Sequence, residues 1–106
     1  MDRTLRLLEM LRLQPGDSFL QHALALEYIK TGNEPVARQL FEAILANEPG
    51  YIGSYYHLGK LLEREGAMEA AIAWYEKGMA AAKTAGDNHS YGELRGAYDD
   101  LVNDNE

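Results

Sequence analysis

Cysteine is absent from the 106-residue chain. That removes disulfides, cysteine-ligated zinc and thiol nucleophiles together and leaves packing to hold the fold. A long apolar run is missing from the amino terminus as well. Met-Asp-Arg-Thr-Leu-Arg-Leu-Leu-Glu carries charges within its apolar stretch, so it is expected to be neither a signal-peptide core nor a membrane span, and a cytoplasmic location is the simplest expectation. Clustered cations are also lacking. The net charge is −7, and from Thr84 onward six acids stand against Arg95 alone. Phosphate backbones are bound by Lys and Arg gathered on one face, so nucleic acid is not an expected partner. There is no glycine-rich phosphate loop, no nucleophile elbow and no paired acid with a positioned base, and no enzymatic activity or cofactor is expected.

What is present is one 34-residue pattern written twice. At that lag Leu24 recurs as Leu58, Ala25 as Gly59, Gly32 as Gly66, Ala37 as Ala71, Phe41 as Tyr75 and Pro15 as Pro49. A fixed period of this length signifies stacked supersecondary units. Small residues at 25, 37, 59 and 71 let two antiparallel helices approach, while the large apolar residues fill the space around the contact. Gly32 and Gly66 fall where a helix must stop in a left-handed conformation. Pro15 and Pro49 follow the second helices, where a residue unable to continue the hydrogen-bond ladder is useful. In this order the pattern resembles the tetratricopeptide repeat, over about two thirds of the chain. The resemblance implies an all-α array of antiparallel helical hairpins, a short right-handed α-solenoid of about six helices.

Residues 2–13 read as an amphipathic helix, with Leu5, Leu8 and Leu11 or Met10 between Arg3, Arg6, Glu9 and Arg12. Counting back from Pro15 puts Leu7 where Phe41 and Tyr75 stand, so residues 1–14 form the second half of a preceding repeat. Repeat 1 occupies residues 18–51, with Asp17 or Ser18 capping and Gln21 as capping-box partner; Asn33 caps its second helix. Repeat 2 occupies residues 52–85, and Gly78 stands in mid-helix at a cost of about 1 kcal/mol relative to alanine. A polar capping helix is expected over 88–102, and a frayed tail over 103–106. The whole is expected to be a single domain over residues 1–106.

In the family that this chain resembles, the first helices of successive repeats line a concave surface that receives peptides. By register the resemblance places Phe19, His22, Leu26, Tyr56, His57, Lys60, Arg64 and Gly92 in that groove. Leu26 and His57 stand where carboxylate-clamping members carry asparagine, so a dedicated clamp for a peptide terminus is not expected. Glu63 and Glu65 read as a solvated helix end. His22 and His57 sit one repeat apart, but no carboxylate or cysteine accompanies them at metal-ligand spacing, and no metal site is expected. The implied function is a non-enzymatic adaptor that presents a helical groove to a peptide or helix of another protein. The alternative is a self-associating unit, a homodimer formed through end helices or grooves. Neither reading involves a membrane.

Overall fold

The computed structural model describes residues 2–104, and among them all regular structure is helical. Six helices follow in order: α1 (Arg3–Leu13), α2 (Ser18–Lys30), α3 (Glu34–Asn47), α4 (Gly53–Arg64), α5 (Met68–Ala85) and α6 (Asn88–Asp104). α6 thus continues past Val102, and residues 105–106 of the expected frayed tail lie outside the described residues.

The stops of α2, α4 and α5 are written by glycine. Gly32, Gly66 and Gly86 take φ of 87°, 83° and 72°, and each is followed by an amide that reaches back into the last turn: Asn33 to the Tyr28 carbonyl at 2.7 Å, Ala67 to Leu62 at 2.9 Å, Asp87 to Ala82 at 2.9 Å. This closure satisfies carbonyls that the helix end leaves unpaired, and its left-handed residue favours glycine. Gly86 falls outside the 34-residue lag and ends a second helix, which accounts for the extra length of α5.

The starts are more varied. The Asp17 carboxylate accepts from the Leu20 amide at 3.0 Å, and that of Asp87 from the Ser90 amide at 3.0 Å. The expected capping box at Gln21 does not form, because the Gln21 side chain donates instead to the Pro15 carbonyl at 2.8 Å. Asn33 likewise makes no side-chain cap; Pro35 in the first turn already lacks an amide to satisfy.

The helices group into two compact units that divide between Glu48 and Pro49. In the first, α2 packs against both α1 and α3. Leu7, Leu24, Ala25, Ala37, Phe41, Ile44 and Leu45 form its buried core. Leu7 is thus the residue of α1 that is buried, whereas Leu5, Leu8 and Met10 of the expected apolar stripe are exposed. An Arg3–Glu27 ion pair at 3.4 Å joins the start of α1 to the end of α2, as antiparallel pairing requires.

In the second unit α5 lies between α4 and α6, and α4 also touches α6. Tyr55, Leu58, Leu61, Leu62, Ala71, Tyr75, Ala82, Leu94, Ala97 and Leu101 make the core. Gly59 lies directly under the Tyr75 ring, with no space for a Cβ. Gly78 does the same at the next crossing, where a Cβ would stand 2.7 Å from Tyr55 Cβ and 3.0 Å from Leu94 Cδ1. The mid-helix glycine that looks like a flaw by propensity alone is therefore what lets three helices meet.

Candidate functional site

The outward, half-buried side of α4 is set by its packing. Tyr55, Leu58, Gly59 and Leu62 turn inward, so Tyr56, His57, Lys60 and Arg64 fall on the other side of the helix, at the spacing that makes neighbours on one face. Tyr56 and His57 meet edge to face with ring centroids 5.8 Å apart. The Lys60 ammonium stands 5.6 Å from the centre of the Tyr56 ring and 3.6 Å from a Glu63 oxygen. Glu63 also accepts a hydrogen bond from the Tyr75 hydroxyl. Far from a solvated helix end, Glu63 joins a buried phenol to a surface cation, and it is the member of this cluster that sequence reasoning missed. Its spacing of three from Lys60 was the available signal.

Electrostatics follow from burial. The Tyr75 hydroxyl is pushed well above the ordinary tyrosine range, first by burial and then by the Glu63 carboxylate to which it donates its hydrogen bond. Burial also lowers His57, opposed by Glu93 on α6 and assisted by Arg64. At neutral pH the face therefore shows the Tyr56 ring, a neutral His57 imidazole and the side chains of Lys60 and Arg64.

Gly92 on α6 is exposed, and a Cβ there would meet open space, as at Gly96. In the first unit, Phe19 and Leu26 are exposed on α2. His22 is half-buried with its ring edge against Phe41, centroids 5.3 Å apart, so it serves the packing of α2 on α3. The structure thus brings Tyr56, His57 and Lys60 into one cluster and gives His22 a different task. Among the described residues no group of three or more His, Asp or Glu side chains is arranged to hold a metal ion, and no helix is long and apolar enough to cross a membrane.

A second feature of this unit went unnoticed in the sequence. Pro49, Tyr55, Lys77, Ala80, Ala81 and Ala85 line an open depression of about 560 Å³ on the flank of α5. The Tyr55 hydroxyl donates to the Pro49 carbonyl at 2.5 Å beside it, and Lys77 lies over the Trp74 ring at 4.4 Å. Most of its lining is small or apolar, and Lys77 and Thr84 are its polar side chains besides Tyr55.

No protein-family model matches the chain, and no match was found among curated proteins. Solved structures do match. A tetratricopeptide repeat domain protein from Salinibacter ruber, determined in solution, is 39% identical with a TM-score of 0.79, over 82% of this chain and 88% of that one. A crystal structure of a tetratricopeptide repeat domain protein from the same organism gives 38% identity and a TM-score of 0.80, over 82% and 97%. The solution structure of a Bordetella parapertussis protein is 28% identical with a TM-score of 0.84, over 98% and 90%.

Proposed function

Because this chain belongs to the tetratricopeptide repeat family, a fold of helical interaction modules, we propose that it is a non-enzymatic adaptor that binds a peptide or helix of another protein. The binding surface is the outward face of α4, built from half-buried Tyr56, His57 and Lys60 and exposed Arg64, with Gly92 on α6 as a further contact. The observation that carries this reading is the Tyr56–His57–Lys60 cluster. Tyrosine beside a cation, left outside the core, is the composition from which interface hot spots are made. The Lys60 ammonium over the Tyr56 ring holds the tyrosine in place before a partner arrives, which lowers the ordering cost of binding.

The preferred ligand is a segment with an apolar or aromatic side chain for Tyr56 and a carboxylate for Lys60 and Arg64. Gly92 leaves space beside α6 for a backbone or a bulky group. Affinity capture from native cell extract tests this. A protein retained by the wild-type chain and lost by both Tyr56→Ala and Lys60→Glu supports the reading, and equal retention by all three chains refutes it.

A further inference from the structure

The flank of α5 bears a helical face that the α4 surface does not use. Lys77, Ala80, Ala81, Thr84 and Ala85 follow at i, i+3, i+4, i+7 and i+8, the spacing that puts them on one side of the helix, over about 10 Å of its length. With Pro49, Gly50 and Tyr55 they line the depression of about 560 Å³. The extra length of α5 makes this wall. In the 34-residue register Asn47, the last residue of α3, matches Ala81, so Thr84 and Ala85 have no helical counterpart in the first repeat, and Ala43 stands where Lys77 does.

The opposite wall is held in place by the core. Gly78 admits Tyr55 against α5, and the Tyr55 hydroxyl donates to the Pro49 carbonyl, which ties the loop before α4 to a buried ring. The Tyr55 and Trp74 rings lie tilted with centroids 6.0 Å apart, and the Lys77 ammonium rests 4.4 Å from the centre of the Trp74 ring. Other cations of the chain are placed differently. Arg12, Arg38, Lys60 and Arg95 each pair with an acid three or four residues away; around Lys77 those positions hold Ala73, Trp74, Ala80 and Ala81. Among the described residues no carboxylate pairs with Lys77, the one charged residue of the lining.

We propose that this depression binds a small amphipathic monocarboxylate, an unbranched alkyl acid of medium length whose hydrocarbon body lies along Ala80, Ala81 and Ala85 and whose carboxylate draws the Lys77 Nζ off the Trp74 ring. The site is separate from the α4 face and does not depend on it. Its volume and its lining, mostly apolar with a few polar groups, are those of a small-molecule site. Lys77 sets the charge. Leaving the indole for a carboxylate replaces a cation–π contact with a charge-assisted hydrogen bond, whereas an ammonium ligand would find no acid in the lining. A peptide fits less well. The backbone of α5 is spent within its own helix, so a peptide's amides would lose water against alanine walls without gaining partners. A hydrocarbon body carries no such cost.

Trp74 is the single tryptophan of the chain, so its emission reports on Lys77 directly. Titration of the full chain with sodium octanoate and sodium decanoate, below their micelle-forming concentrations, is expected to change that emission saturably, with decanoate the tighter ligand by about two- to fourfold per added methylene. Calorimetric titration with decanoate should show binding about fivefold weaker in Lys77→Gln. Ala80→Glu should lose at least as much, since it supplies the acid three residues on that Lys77 lacks. Both positions are exposed, so melting should stay near that of the wild type, and Tyr56→Ala should bind decanoate unchanged. Four outcomes overturn the proposal: no saturable change in emission, undiminished affinity in both Lys77→Gln and Ala80→Glu, decylamine binding as tightly as decanoate, or the peptide Ala-Ala-Ala-Leu binding more tightly than decanoate. None of them bears on the capture experiment with Tyr56 and Lys60, so the two readings fall separately.

Discussion

Gly78 and Tyr55 approach so closely that a Cβ on the glycine would stand 2.7 Å from the Cβ of the tyrosine. Replacing Gly78 by alanine should therefore destabilise the chain by about 1–3 kcal/mol through overpacking, despite alanine's better helix propensity. At Gly96, in the interior of α6 with open space around it, the same substitution should stabilise by about 0.5–1 kcal/mol. Urea denaturation of both variants checks the opposite signs.

Ala71 is fully buried and Ala70 next to it is exposed. Ala71→Leu should lower stability by about 1–3 kcal/mol by forcing α5 away from its neighbours. Ala70→Leu should change it by less than about 0.5 kcal/mol. Thermal melts of the pair test the helix register directly, and equal melting would contradict it.

His57 is held below the ordinary histidine range, first by burial. The unfolded chain then binds the proton more readily than the folded one. Stability from this group is complete above about pH 6.5 and declines as pH falls from there through the folded value. Urea midpoints measured between pH 7.5 and 5 should show this decline in the wild type and a shallower one in His57→Gln.

Tyr75 has the opposite dependence. Its folded pKa is raised, chiefly by burial, so its contribution is complete below the unfolded value near pH 10 and is lost as pH rises above that. Tyr75→Phe should remove this alkaline loss, while weakening the chain at neutral pH by leaving Glu63 without its phenolic donor. Midpoints at pH 7, 9 and 10.5 separate the two effects.

The periodicity revealed the helices and their order because it records which side chains face a neighbouring helix, and Leu24, Ala37, Phe41, Leu58, Ala71 and Tyr75 all obey it. What it concealed depends on third partners. Gly78 reads as a cost until Tyr55 and Leu94 are seen on either side, and Glu63 reads as solvated until Tyr75 arrives from the next helix. Gln21 and Asn33 have capping chemistry, but the Pro15 carbonyl takes one and the other makes no cap. The outward side of α4 was legible, since register alone separates Tyr56 and Lys60 from Leu58 and Leu62. The task of His22 was not, because its edge contact with Phe41 crosses between helices. On α1 the charged positions suggested a different apolar stripe from the one that is buried, and only Leu7, the position fixed by the repeat, was buried as the period requires.

The most direct measurement is calorimetric titration of the partner recovered by affinity capture, against the wild type, Tyr56→Ala, Lys60→Glu and Glu76→Lys, the last at an exposed position on α5. Binding through the α4 face predicts a loss of about 2 kcal/mol for Tyr56→Ala, weakened binding for Lys60→Glu and wild-type affinity for Glu76→Lys, with melting nearly unchanged throughout. Undiminished affinity in both α4 variants, together with loss in Glu76→Lys, would move the binding surface to α5 and contradict the account.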